Sequence, residues 1–343
     1  MNTRNTDSRR LWSWFALAAA LLAAGVVVAA EDGPPTPARR VRVLQRVPTA
    51  AQPKGVTLSP DGSTLVVTNF GRRANKNIYF YDSETLELTA QIDMESANVV
   101  ESVWAPDGNT VYVSDFRNDQ VLFIDPATHE IRQKVDVESA PKVLVLNPDG
   151  TKLFASCWSH GYVSVVDTAT GELLGNVKVG TQPRGMAVSP DGTKLYVGNH
   201  GSHDLHEVDI ATLTVLRQHD LIARSYPRHM LINRAGDRMY DSSIGKRANN
   251  VVTTDTLQIL DRNGVGECPK SIVFSPDEKW IYAANYCSHE VSVVDVETLG
   301  ARQVRIPDIE QPSGLAINAD GTRLLVTGWS SAELVALEIY DPE

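Results

Sequence analysis

A short phrase returns seven times along this chain at nearly constant spacing. Its cleanest copy runs from Gln182 to Asn199 and reads QPRGMAVSPDGTKLYVGN. The turn glycine of each copy, or the residue that replaces it, falls at Gly62, Gly108, Gly150, Gly192, Gly236, Glu278 and Gly321. The gaps between these positions are 46, 42, 42, 44, 42 and 43 residues. A period of about 40–45 residues built from short strands is typical of β-propeller blades, so seven copies predict seven blades.

Each copy divides into four short runs in which apolar residues alternate with small or polar ones. In the fourth copy these runs cover residues 184–189, 194–199, 204–209 and 214–219. Alternation with a period of two indicates strands that bury one face. The chain is therefore predicted to be all-β, with four antiparallel strands in each of seven blades.

The first and last copies predict how the ring closes. The seventh copy ends after residues 333–340 without a fourth strand, and the segment VRVLQRV at 41–47 precedes the first copy as an unassigned strand. Pairing of this segment into the last blade would remove an exposed sheet edge. We therefore predict one propeller domain over residues 41–343, closed by its N-terminal strand.

Residues 1–30 have the pattern of an export signal. Arg4, Arg9 and Arg10 precede an uncharged stretch that ends in Val28-Ala29-Ala30 before Glu31. Small residues at these positions suit cleavage after Ala30, which predicts a signal peptide; a retained membrane anchor is the alternative. Both place the propeller in the periplasm or outside the cell, and the Pro-rich run at 31–40 is predicted to be a linker.

The charge of the chain limits its partners. The whole sequence carries −10, and because residues 1–30 carry +2, the remainder carries −12. An acidic body argues against nucleic-acid binding, which needs a basic surface. A membrane is expected as a partner only if the N-terminal segment is retained.

Two positions of the repeat should lie around the mouth of the central channel. The residue that follows the proline at the start of the inner strand is a cation in five blades: Lys54, Lys142, Arg184, Arg228 and Lys270. Eight residues after the turn, six blades carry a ring: Phe70, Phe116, Trp158, His200, Tyr286 and Trp329. These eleven residues are the predicted binding site for an anionic or aromatic-bearing ligand, because cations supply charge-assisted hydrogen bonds and rings supply stacking area. The alternative is that each cation belongs to the blade template and bonds neighbouring carbonyls.

Two of the three cysteines are placed to form a disulfide. Cys268 opens the inner strand of the sixth blade and Cys287 ends its second strand, so they are symmetric about the turn at 277–278. In an oxidising compartment this arrangement predicts a Cys268–Cys287 bond, which leaves Cys157 unpaired.

The ends of the second strands carry a family resemblance. They read Val67-Thr-Asn69, Tyr112-Val-Ser-Asp115, Tyr196-Val-Gly-Asn199 and Tyr282-Ala-Ala-Asn285, and the chain from about residue 41 to 343 resembles the YVTN-repeat family of bacterial β-propellers. That resemblance implies the fold, but propellers host unrelated functions.

The residue pattern favours an exported, non-enzymatic propeller that binds an anionic small molecule, a glycan or a protein at the channel mouth. The alternative is an enzyme that resembles propeller lactonases or streptogramin lyases, with Glu101, His200, His229 and His289 as candidate residues. A mouth with one acid among many cations disfavours a hard-metal site, and no short motif supplies four metal ligands. We therefore predict no catalytic residue, no metal and no cofactor. An accessory role beside periplasmic redox enzymes rests on the family resemblance alone.

Overall fold

The computed structural model describes residues 36–71, 77–94 and 96–342, and within them the chain forms seven four-stranded antiparallel sheets. The predicted signal peptide at 1–30 and residues 31–35 of the predicted linker lie outside the described residues. No helix in the described part of the chain is long and apolar enough to cross a membrane. The seven-bladed, all-β architecture expected from the repeat is confirmed.

The strands follow the repeat copy by copy. The chain begins with β1 (Arg40–Pro48). Blade 1 contains β2 (Pro53–Leu58), β3 (Thr64–Asn69), β4 (Ile78–Asp82) and β5 (Leu88–Ile92). Blade 2 contains β6 (Val99–Trp104), β7 (Val111–Asp115), β8 (Gln120–Ile124) and β9 (Ile131–Asp136). Blade 3 contains β10 (Pro141–Leu146), β11 (Lys152–Cys157), β12 (Tyr162–Asp167) and β13 (Leu173–Lys178). Blade 4 contains β14 (Pro183–Val188), β15 (Lys194–Asn199), β16 (Asp204–Asp209) and β17 (Thr214–Asp220).

The last three blades continue the same order. Blade 5 contains β18 (Pro227–Ile232), β19 (Arg238–Ser243), β20 (Ala248–Thr253) and β21 (Ile259–Gly264), with a short 3₁₀ helix at Ile244–Lys246. Blade 6 contains β22 (Pro269–Phe274), β23 (Trp280–Asn285), β24 (Glu290–Asp295) and β25 (Ala301–Arg305). Blade 7 contains β26 (Pro312–Ile317), β27 (Arg323–Gly328) and β28 (Glu333–Tyr340).

The first strand of every blade lines the central channel. Each of these strands contacts the first strand of the next blade, in the closed order β2, β6, β10, β14, β18, β22, β26 and back to β2. Apolar side chains fill the space between neighbouring sheets; Phe80 of blade 1, for example, packs in one cluster with Val113 and Leu122 of blade 2. The inner strands are thus fixed by packing on both sides, which makes the channel wall a rigid frame for side chains.

The N-terminal strand closes the ring as expected. β1 pairs antiparallel with β28 from Arg40 opposite Tyr340 to Pro48 opposite Glu333, with a register shift between Val43 and Gln45. Blade 7 therefore has the order β1-β28-β27-β26. This pairing covers the edge that β28 would otherwise expose to solvent.

The turns between first and second strands need a left-handed residue, which explains the repeated glycine. Gly62 and Gly192 have φ angles of 76° and 71°. Blade 6 has Glu278 at this place with φ 56°, so a residue with a Cβ adopts the conformation that glycine takes elsewhere. Its carboxylate accepts a hydrogen bond from the backbone N–H of Arg234 at 3.1 Å, which ties this turn to blade 5.

Candidate functional site

The cations of the inner strands are held in position by the neighbouring blade. Hydroxyl groups on second strands donate to the backbone carbonyls of cationic residues in the next blade: Ser114 Oγ to Lys142 O at 2.8 Å and Ser242 Oγ to Lys270 O at 2.9 Å. The inner strands also approach closely, since a Cβ on Gly314 would lie 2.4 Å from the carbonyl oxygen of Lys54. The backbone of the channel wall is therefore fixed, and its side chains extend from a narrow ring of seven inner strands.

The rings eight residues after each turn lie beside the start of the inner strand. The backbone N–H of Phe70 donates to Gln52 O at 3.0 Å, and that of Trp329 donates to Gln311 O at 3.0 Å. Equivalent bonds hold four more of these residues: Phe116, Trp158, His200 and Tyr286. The repeat geometry thus brings all six predicted rings to the end of the channel where the inner strands begin.

These rings, together with Tyr226, form an aromatic collar that we define as Phe70, Phe116, Trp158, His200, Tyr226, Tyr286 and Trp329. Ring centroids are 5.8 Å apart for Phe70–Phe116, 5.7 Å for Phe70–Trp329 and 6.4 Å for Tyr286–Trp329. Each ring of the collar is half-buried. The rings therefore offer stacking area to a ligand as well as to each other.

Tyr226 is the collar residue that the repeat did not predict. The blade 5 position eight residues after the turn is Ile244, which has no ring. The ring of Tyr226, just before Pro227, instead lies 5.1 Å from that of His200, and Tyr226 has φ 52°. Five other blades also have a left-handed residue immediately before the proline, so this position belongs to the repeat. An aromatic residue there was the sequence signal that could have predicted the place of Tyr226 in the collar.

Three lysines contact the collar through the faces of its rings. Lys54 Nζ lies 4.6 Å from the ring centroid of Phe70. Lys142 Nζ lies 3.2 Å from that of Trp158, and Lys270 Nζ lies 3.0 Å from that of Tyr286. These contacts place three amino groups against the faces of the collar rings, where a protonated lysine gains cation–π attraction.

A small cavity lies in the channel. All seven inner strands contribute to its lining, which consists of Lys54, Val100, Glu101, Val143, Arg184, Arg228, His229, Lys270, Ser271 and Ser313. Its volume is about 20 Å³, room for one or two water molecules. The lining contains four of the five predicted cations and one carboxylate. The fifth cation, Lys142, is not part of the lining, and its Nζ contacts the ring of Trp158.

The five cations have no acidic partner in the described residues. None of Lys54, Lys142, Arg184, Arg228 and Lys270 has a carboxylate within 4.0 Å, and none of their side chains donates a hydrogen bond to another described group. The alternative from sequence, in which each cation bonds a neighbouring carbonyl, is therefore not what this structure shows. Lys142 and Arg184 are buried and the other three cations are half-buried, so charge on them without a partner is costly and an anion in the channel would offset that cost.

Burial disfavours the charged form of these cations. It lowers the pKa of Lys142 and of Lys270 to about 5, with the positive charges of their neighbours as a second cause. The pKa of Lys54 falls well below its ordinary value for the same two reasons. Burial also lowers the pKa of Arg184 to about 10, so this guanidinium stays charged at neutral pH. Burial and the charge of Arg184 lower the pKa of Arg228 well below its ordinary value as well. Arg184 therefore supplies charge at neutral pH, and a bound anion would favour the charged forms of the lysines and of Arg228.

The candidate residues of the enzyme alternative are not all in one place. Glu101 and His229 line the cavity, and burial raises the pKa of Glu101 to about 7 and lowers that of His229 to about 4. The ring of His200 lies between those of Trp158 and Tyr226 at tilted angles of 47° and 45°, and His289 Nδ1 accepts a hydrogen bond from the backbone N–H of Gln311 at 3.2 Å. Among the described residues, no three His, Cys, Asp or Glu side chains converge to hold a metal ion.

The structure joins Cys268 to Cys287, with their Cα atoms 5.3 Å apart. This bond connects the residue before Pro269 to the residue after Tyr286, so it links the segments that carry Lys270 and one ring of the collar. Cys157 is buried, and burial raises the pKa of its thiol to about 11. Its Sγ lies 3.5 Å from Ser164 Oγ inside blade 3.

Comparison with known proteins supports the architecture alone. No family model and no curated protein matches the chain. Among solved structures, hydrazine synthase of Kuenenia stuttgartiensis is similar, with a TM-score of 0.77 over 86% of this chain and 98% of that chain. The two sequences are 19% identical. A likeness at this identity shows the propeller fold and carries nothing about activity.

Proposed function

We propose that this protein is an exported, non-enzymatic β-propeller that binds an anionic or aromatic-bearing ligand, or a partner with such a group, at the channel-mouth face. The observation that carries the proposal is the set of five cations without acidic partners beneath a collar of half-buried rings. Stability alone does not account for such a cluster, because burial disfavours the charged forms of these side chains and no described group pairs with them. Perturbed titratable groups gathered in a cleft are typical of functional sites.

The proposed location and family follow from separate features. The apolar stretch at 11–30 supports export to the periplasm or beyond, and the Cys268–Cys287 bond is of a kind that persists in oxidising compartments. We place the chain in the YVTN-repeat family on the strand ends at 112–115 and 196–199. The ligand is expected to be a small organic acid, a glycan or a protein side chain that presents a carboxylate.

The test compares three probes by isothermal titration calorimetry on protein purified from cells that express the full chain. Benzoate carries both an anion and a ring, acetate carries the anion alone, and benzyl alcohol carries the ring alone. We expect benzoate to bind most tightly, because it can use the cations and the collar together. In the Lys270→Met variant, benzoate affinity should fall roughly tenfold to a hundredfold, the effect of losing one charge-assisted hydrogen bond.

Lys178 provides a matched control. Its Nζ lies 4.4 Å from the ring centroid of Tyr162 in blade 3, so Lys178→Met removes a lysine–aromatic contact away from the channel. This variant should bind benzoate like the parent. If none of the three probes binds, or if both variants lose affinity equally, the site assignment is wrong.

A further inference from the structure

Glu101 is the one carboxylate among the described residues that line the central cavity. It lies on β6 in blade 2, and its Oε1 would be 3.2 Å from a Cβ placed on Gly55 in blade 1. No described side chain or backbone group forms a hydrogen bond with the Glu101 carboxylate. Glu101 is half-buried, and a carboxylate in a cleft beside a ring of cations, without a hydrogen-bond partner, is a candidate functional group.

The charged and titratable groups around Glu101 come from several blades. Lys54 on β2, Arg184 on β14 and Arg228 on β18 act on it electrostatically, and Lys270 on β22 and neutral His229 on β18 line the same cavity. None of these cations lies within 4.0 Å of the Glu101 carboxylate. The carboxylate and the cations therefore face the same cavity without forming an ion pair, and an anion placed there would lie close to both.

The size of the cavity limits what it can hold. A volume of about 20 Å³ accommodates one or two water molecules. Chloride and formate are of this size, whereas a tetrahedral phosphate with its four oxygens is larger. The cavity therefore fits a small monovalent anion, or the carboxylate head of a larger acid whose body extends toward the collar.

An ionised Glu101 would oppose such an anion. Two negative charges a few ångströms apart in a poorly hydrated site repel strongly, and both would compete for the same cations. Protonation of Glu101 removes the repulsion and gives the cavity a hydrogen-bond donor. Burial already raises the pKa of Glu101 to about 7, so this proton is available near neutral pH.

We propose that the central cavity binds one small monovalent anion together with one proton, and that the proton is held on Glu101. This inference rests on the proposed function, since it concerns the same channel. It adds the size of the anionic group and its coupling to pH.

The sign of the coupling follows from linkage. Below a pH of about 7 Glu101 is already protonated, so the affinity for the anion is unaffected by this group. Above that pH, each unit costs about tenfold in affinity, because the proton must be taken up with the anion. Burial lowers the pKa of Lys270 to about 5, so Lys270 can also take up a proton when the anion binds. Because both groups would then contribute to the pH dependence of affinity, a variant of Glu101 is needed to measure its share.

The experiment measures formate, chloride and phosphate binding by calorimetry between about pH 6 and pH 9, with ionic strength held by a bulky sulfonate salt. The variant is Glu101→Gln, a neutral stand-in for the protonated acid. The control is Glu297→Gln, an exposed residue in the outer turn of blade 6. Above neutral pH, we expect log affinity to fall less steeply with pH in Glu101→Gln, by one unit per pH unit, because one proton fewer is taken up. Near pH 9 this variant should bind formate roughly a hundredfold tighter than the parent.

The outcomes separate this inference from the proposed function. An unchanged slope in Glu101→Gln, or phosphate binding as tight as formate binding, overturns the inference and leaves the proposed site intact. Failure of formate and chloride to bind at every pH overturns the inference, and the proposed function fails with it if benzoate does not bind either. If Glu101→Gln does not fold, titrating formate into the parent in buffers of different ionisation enthalpy measures the proton uptake directly, and an uptake of zero near pH 8 refutes the coupling.

Discussion

The arginines beside the closing pair of strands, β1 and β28, differ from the arginines of the channel in their partners. At the closure, three arginines pair with carboxylates at the surface: Arg39 with Asp341 at 2.8 Å, Arg42 with Glu338, and Arg46 with Glu333 at 3.6 Å. In the channel, Arg184 and Arg228 have no carboxylate within 4.0 Å among the described residues. Only 7% of the surface of Arg184 is exposed. Arginine therefore has a carboxylate partner at the surface, where water already solvates its charge, and no such partner in the channel, where its charge is poorly solvated.

This difference separates charges that serve the fold from charges that serve a site. Exposed ion pairs contribute little to stability, but they fix register and keep the sheet edge polar. An unpaired buried cation works against stability, and proteins keep local conflicts of this kind mainly at functional sites. The closure is therefore expected to respond to mutation through folding, and the channel through binding.

The largest effect is expected from removing the closing strand. Deletion of Arg40–Pro48, with the preceding residues kept, strips blade 7 of its outer strand and exposes the backbone edge of β28. The ring would lose its cooperative thermal transition and aggregate, as measured by calorimetry and size-exclusion chromatography. Leu44 is 52% exposed at the register shift of β1, so Leu44→Ser is a control that should melt like the parent. A deletion variant that melts like the parent would show that β1 does not close the ring.

The second effect concerns the covalent link beside the collar. Replacing Cys268 and Cys287 together by serine should lower the free energy of unfolding by about 2–4 kcal/mol, because the bond restricts the unfolded chain. Cys157→Ala is the comparison, since that thiol is buried and unpaired. Thiol titration of the unfolded, non-reduced parent should find one free thiol. Three free thiols would contradict the link.

The fold could be predicted from sequence because it depends on local, repeated chemistry. The turn positions from Gly62 to Gly321 each need a left-handed residue, and the sequence shows this requirement as a recurring glycine. Alternation placed the strands, and the count of strands predicted that β1 would pair with β28. The turns, the strands and the closing pair all follow from residues that are close together in the sequence or from the number of strands, so a single sequence was enough to predict them.

The site was less accessible to the same reasoning. The repeat placed the cations and rings at one end of the channel, and the structure brings them together there. It also named Glu101 as the acid of the channel mouth, but it did not show that Arg184 would be buried or that Tyr226 would join the collar. Depth within a narrow channel depends on how closely seven inner strands approach one another, and this distance is set by packing across the whole ring.

The smallest effect tests the comparison directly, through one arginine from each region. Arg39→Met removes a surface pair with Asp341 and should lower the free energy of unfolding by about 0.2–1 kcal/mol. Arg184→Met replaces an unpaired buried charge by an apolar side chain and should raise it by roughly 1 kcal/mol in buffer free of small anions, although the contact of Arg184 with Trp158 at 5.5 Å offsets part of the gain. Added benzoate should stabilise the parent and Arg39→Met, and Arg184→Met much less, because a ligand stabilises only the folded state that binds it. Opposite signs for the two substitutions in chemical denaturation would confirm that the channel keeps its charge for binding. A loss of stability in Arg184→Met larger than that in Arg39→Met would instead make the channel arginine part of the folding framework, and the distinction between the two regions would fail.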